Sequence, residues 1–115
     1  MKLANDSVNI QGLQVQMKPV LQIAKDVWWD EIKVVLTITA GLDGIHSAGS
    51  YHYYGFAVDL RTWGEDGNQV SDEVRKRLAS ILASHLKHFS PYFDVIVHST
   101  HIHVEFDAMR AGIVF

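Results

Sequence analysis

Apolar residues fall at helical spacing between Lys18 and Trp29, where Leu21, Ala24, Val27 and Trp28 form one stripe and Pro19 suits a first helical turn. Lys33 to Thr39 is rich in β-branched residues and predicts a strand. From Phe56 to Trp63 the pattern alternates: Phe56, Val58 and Leu60 point one way, and Ala57, Asp59 and Arg61 the other. A turn over Gly64 to Gly67 follows. A second helix is predicted after it, with Ser71 as N-cap and Asp72 and Glu73 in its first turn. Its stripe is Val74, Leu78, Ile81, Leu82, Leu86 and Phe89, and Ser90-Pro91 ends it. Asp94 to Phe106 predicts a last strand, bulged near Ser99-Thr100, with Ile102, Val104 and Phe106 on one face and His101, His103 and Glu105 on the other.

The first dozen residues show no period and are expected to form an arm or loop, and Gly41, Asp43, Gly44 and Gly49 mark a long loop. The order helix, strand, strand, helix, strand supplies too few helices to cover both faces of a parallel sheet. An α+β fold is expected, a single domain over residues 1–115 with helices packed on one side of a largely antiparallel sheet. At 115 residues the chain is long enough to bury a core without staples. A formal net charge of −3 gives no nucleic-acid footprint. No stretch approaches a membrane span, and Met1 to Ser7 lacks the apolar run of a secretory signal. The expectation is a protein synthesised in soluble form in the cytoplasm, without membrane insertion.

Cysteine is absent, so any metal would be held by His, Asp or Glu. Five of the seven histidines fall between His46 and His52 or between His98 and His103. Catalytic zinc needs three protein ligands and one open position, and His52, Asp59 and His103 supply such a set. Zinc lowers the pKa of bound water from about 15.7 to about 7. A peptidase also needs a base for the water proton and an acid for the leaving amine, and His101 and His98 are the candidates. A lone histidine is more often a surface or hydrogen-bonded core residue. The combination of a His-x6-Asp with a separate HxH favours the metal over that plainer account. His85 and His88, three apart on the second helix, are expected to be rim and surface residues. At least one of Trp28 and Trp29 should be core.

The residues around these positions carry a resemblance. Asp43-Gly44-Ile45-His46-Ser47, then Ser50-x-His52-Tyr53-x-Gly55-x-Ala57-Val58-Asp59, then His101-Ile102-His103 resemble the zinc fold shared by D-alanyl-D-alanine carboxypeptidases, murein endopeptidases and the hedgehog signalling domain. The similarity runs from about Leu36 to Phe106. It implies one zinc ion held by His52, Asp59 and His103, and hydrolysis of a peptide bond in bacterial peptidoglycan.

Many carboxypeptidase members carry Glu three residues before the last ligand, where this chain has Thr100. His98-x2-His101-x-His103 looks more like the endopeptidase branch, which gives His101 the acid/base role with His98 as its neighbour and Glu105 as a weaker candidate base. The cation that such enzymes place ahead of the first ligand is missing from Thr39 to Ser50, and His46 is its nearest replacement for substrate binding. Arg61 shares the parity of Asp59 and is expected to support the site or simply to lie at the surface. The small size suits a phage lysis or tail-associated enzyme acting at the bacterial cell wall. A zinc-containing binding module of the same fold is the alternative.

Overall fold

The computed structural model describes residues 1–5, 7–41 and 55–113. The elements are β1 (Lys2–Leu3), a 3-10 turn (Val15–Met17), α1 (Lys18–Ile32), β2 (Thr37–Ala40), β3 (Ala57–Arg61), α2 (Asp72–Leu86), β4 (Phe93–Val97) and β5 (His101–Phe106). The strands form one sheet in the order β1-β2-β3-β5-β4. β1 pairs parallel with β2, and the other pairings are antiparallel. The chain is thus an α+β domain with a mixed sheet.

Helix boundaries follow local chemistry. The Ser71 side chain accepts a hydrogen bond from the Val74 N–H, closing the start of α2. Pro19 occupies the first turn of α1, and Lys33 ends that helix in the left-handed conformation. Phe89 lies beyond the end of α2 and is 62% exposed, so it does not belong to the buried stripe. Trp28 is fully buried and Trp29 is exposed.

Two other expectations change. The N-terminal arm contains β1, whose backbone bonds to Leu36 and Ile38 extend the sheet by one short parallel strand. The long final strand is instead a hairpin: β4 and β5 pair with each other, and the chain reverses at His98–His101, where the His98 N–H donates to the His101 carbonyl at 2.9 Å. The faces expected for Ile102, Val104 and Phe106 and for His101, His103 and Glu105 hold, because the reversal falls where a bulge was expected.

Both helices contribute to the core cluster that includes Ile38, Val58, Leu60, Ile102 and Val104. Val58 stands opposite Val104, and Leu60 opposite Ile102. The alternate pairs Ala57–Glu105, Asp59–His103 and Arg61–His101 therefore share the other face of the sheet. A one-residue slip between β3 and β5 would carry Asp59 into the core and turn Val58 and Leu60 out. Each buried aliphatic side chain contributes about 1.5–3 kcal/mol, more than a typical hydrogen bond at about 1 kcal/mol, so burial sets the register that aligns Asp59 with His103.

The pairing of β2 with β3 shifts between Ile38–Leu60 and Ala40–Asp59. This irregularity lies directly beside Asp59, where bulges commonly end pairing and re-aim side chains. Thr39 Oγ1 donates to the Asp59 carbonyl at 3.4 Å. The described chain then stops at Gly41 and resumes at Gly55. Both glycines abut the N-terminal segment. A Cβ at Gly41 would lie 2.1 Å from the Asn9 carbonyl oxygen, and one at Gly55 would lie 2.4 Å from that of Gly12. Gly55 also has φ +78° and accepts from the Gln14 N–H at 2.9 Å. These close approaches require glycine.

Candidate metal and acid/base site

Asp59 and His103 face each other across β3 and β5, with His103 Nδ1 at 2.8 Å from Asp59 Oδ1. The other ring nitrogen, Nε2, lies 2.9 Å from Glu105 Oε1. The three side chains are only 15%, 16% and 21% exposed for His103, Asp59 and Glu105, respectively. A neutral imidazole has one N–H and donates to only one of two carboxylates, whereas imidazolium donates to both.

Burial opposes a charge on His103. The hydrogen bonds that Asp59 and Glu105 accept from the ring, together with their negative charges, outweigh that desolvation and raise the His103 pKa above its ordinary 6.5. With the folded value raised, the stabilisation is fully present below the unfolded value and fades as pH rises through the folded one. In chelator-treated protein, the stability difference between wild type and His103→Gln should shrink as pH increases above 6.5. Thermal melts of both proteins across a pH series read this directly, and a difference that grows with pH would contradict the pairing.

His101 lies one pleat along. Its Nε2 is 3.8 Å from Asp59 Oδ1, and its Nδ1 is 3.0 Å from the Thr100 hydroxyl. The His98 ring stacks on it with centroids 4.6 Å apart, and the same ring stands edge-on to His103 at 6.4 Å. The hairpin turn therefore brings His101 and His103 to Asp59, with His98 against both rings. His98 is exposed, and His101 is half-buried.

Gln69 holds this turn, because its Nε2 donates to the Thr100 carbonyl at 2.8 Å. Its amide oxygen receives the Thr62 hydroxyl and an Arg75 N–H, and Arg75 also donates to the Val70 carbonyl at 2.6 Å. Helix α2 is in this way tied to the histidine hairpin. Gln69 and Arg75 were not legible as site residues, since nothing in their local pattern refers to Thr100. Glu105 was expected only as a weaker candidate base. In place it is the carboxylate behind His103, a pairing that fixes ring orientation in metal-ligating histidines.

The donor chemistry fits zinc as far as the described residues extend. Two ligand atoms on tetrahedral zinc, each about 2.0–2.1 Å from the ion, stand about 3.3 Å apart. Asp59 Oδ1 and His103 Nδ1 are at 2.8 Å, within half an ångström of that spacing. With an ion bound between Nδ1 and Asp59, the Nε2–H of neutral His103 would donate to Glu105, the tautomer a metal ligand needs. Among the described residues, no group of three His, Asp or Glu forms a metal-holding set. His52 and His46 lie outside the described residues. His85 and His88 are both exposed and distant in the chain from this face. Comparison with protein-family models gives no match, and no curated protein matches the chain. Among the described residues, no helix is long and apolar enough to cross a membrane.

Proposed function

We propose that the chain is a zinc peptidase of the type shared by D-alanyl-D-alanine carboxypeptidases, murein endopeptidases and hedgehog domains, and that it hydrolyses a peptide bond in bacterial peptidoglycan. The observation that carries this reading is the Asp59–His103 pair, backed by Glu105 and flanked by the stacked His98 and His101. The motif resemblance supports it from the other direction, since it assigns ligand roles to the same Asp59 and His103.

Asp59 and His103, with His52, would hold the ion. When bound, zinc supplies Lewis-acid polarisation and hydroxide at neutral pH. His101 acts as general base. In the tautomer whose Nδ1–H faces the Thr100 hydroxyl, its Nε2 lone pair is on the Asp59 side of the sheet and would accept the proton of the attacking water. The imidazolium so formed then donates that proton to the leaving amine. His98 keeps the His101 ring in plane by stacking, and Gln69 anchors the turn that carries both. Thr100 stands where a carboxypeptidase glutamate would be, which favours endopeptidase action with histidine as the proton carrier.

Glu105→Gln should lower zinc affinity about 10- to 100-fold, because the second carboxylate no longer raises the basicity of His103. Competition against a chromogenic chelator measures this, and unchanged affinity would remove Glu105 from the site. The activity itself is tested by digesting purified peptidoglycan with and without a chelator and weighing the released fragments. Chelator-sensitive release identifies the bond that is cut. Intact peptidoglycan in the presence of stoichiometric zinc would instead support a zinc-containing binding module.

A further inference from the structure

We propose that Arg61 and Trp63 form an anion subsite that holds a carboxylate of the peptide substrate beside the Asp59–His103 pair; this deepens the peptidase reading and rests on it. Arg61 stands opposite His101 in the β3–β5 register and shares the face of Asp59. Two residues along a strand span about 6.6–6.8 Å of backbone, and stacking on Trp63 carries the guanidinium further along the chain from the proposed ligand. Its guanidinium lies over the Trp63 ring, 3.8 Å from the centroid. Stacking occupies the flat face of the guanidinium and leaves its in-plane N–H donors available for a bidentate acceptor. Among the described residues, no carboxylate forms an ion pair with Arg61.

Arg61 and Trp63 open onto a cleft whose remaining walls include Trp28, Val34, Val35 and Thr37. The cleft encloses about 130 Å³. At about 30 Å³ per water, that is the space of roughly four waters, enough for one acidic side chain or chain end and too small for a whole peptide. A partly enclosed cleft with one cation selects a negatively charged group over a neutral one, since a neutral amide leaves the guanidinium charge unmet. The scaffold is independent of the Arg61 side chain: the Trp28 indole N–H donates to the Arg61 backbone carbonyl at 2.8 Å, so truncating the side chain leaves that bond intact.

The test uses full-length zinc-loaded protein and peptide stems prepared from peptidoglycan, with their carboxylates either free or converted to amides. Wild type should prefer the free-acid stems by at least about tenfold in kcat/KM, the scale of one charge-assisted bidentate contact. Arg61→Ala should bring that ratio close to one at unchanged zinc content, and Arg61→Lys should fall between them. A ratio that survives in Arg61→Ala, including an equal loss on both stems, overturns the subsite. So does the absence of any preference in wild type. Calorimetric binding of the same stems separates the two claims. If wild type cuts neither stem yet binds the acid more tightly in an Arg61-dependent way, the subsite stands and the peptidase reading falls. Equal binding of acid and amide, with no cleavage, overturns the subsite as well.

Discussion

His103→Ala abolishes stoichiometric zinc binding and lowers the thermal midpoint. Removing the imidazole deletes one proposed ligand and also removes the contacts it makes to two partly buried carboxylates, Asp59 at 2.8 Å and Glu105 at 2.9 Å. Losing these two contacts costs about 1–3 kcal/mol in the metal-free protein, which is a measurable drop for a domain of this size. Metal binding adds to that difference, because whatever free energy the folded site gains from zinc is stability of the folded state. The measurement is elemental analysis of untagged protein together with melts before and after chelation. Chelation should lower the wild-type midpoint and leave that of the variant unchanged. Stoichiometric zinc in His103→Ala would end the assignment of this residue as a ligand, and with it the metal site built on the Asp59 pairing.

His101→Ala keeps zinc and loses turnover, by about 10²- to 10⁴-fold, the usual contribution of a positioned acid/base group. The separation from the first result rests on one pleat of β5. His103 sits directly opposite Asp59, whereas His101 sits opposite Arg61 and reaches Asp59 only at 3.8 Å. Its Nδ1 is held by the Thr100 hydroxyl, an arrangement suited to a ring that cycles between neutral and charged forms. The decisive comparison is kcat on peptidoglycan fragments at matched zinc content. Wild-type turnover in the variant removes His101 from the mechanism, and loss of zinc along with turnover would make it a ligand instead. His98, stacked on the same ring, should show a smaller defect because its side chain touches His101 through the ring face.

Several features were legible because they are written locally. The capping of α2 by Ser71 and the proline in the first turn of α1 depend on residues a few positions apart. The division of β3 into an apolar Val58–Leu60 face and a polar Asp59–Arg61 face is likewise visible without any partner strand. The same holds for His101 and His103 on β5. The hairpin between β4 and β5 was hidden because the parity shifts by one across Ser99-Thr100, with Phe93, Val95 and Val97 sharing a face with Ile102, Val104 and Phe106, and a bulge produces the same one-residue shift. β1 was hidden because two residues are too few to show a period, and only Leu36 and Ile38 supply its hydrogen bonds.

What the chain by itself determined is therefore which side chains share a face: Asp59 with Arg61, and His101 with His103 and Glu105, on strands whose opposite faces are apolar. Tertiary structure decided which of them meet. Core burial of Val58 against Val104 and Leu60 against Ile102 sets Asp59 against His103 and places His101 one step away. It also put Glu105 behind His103, Gln69 under the histidine turn, and Arg61 over Trp63 at the mouth of a cleft. The reason is physical. Alternation and capping are properties of neighbours in sequence, whereas cross-strand register and the partner of a polar side chain are fixed by packing between segments that lie tens of residues apart.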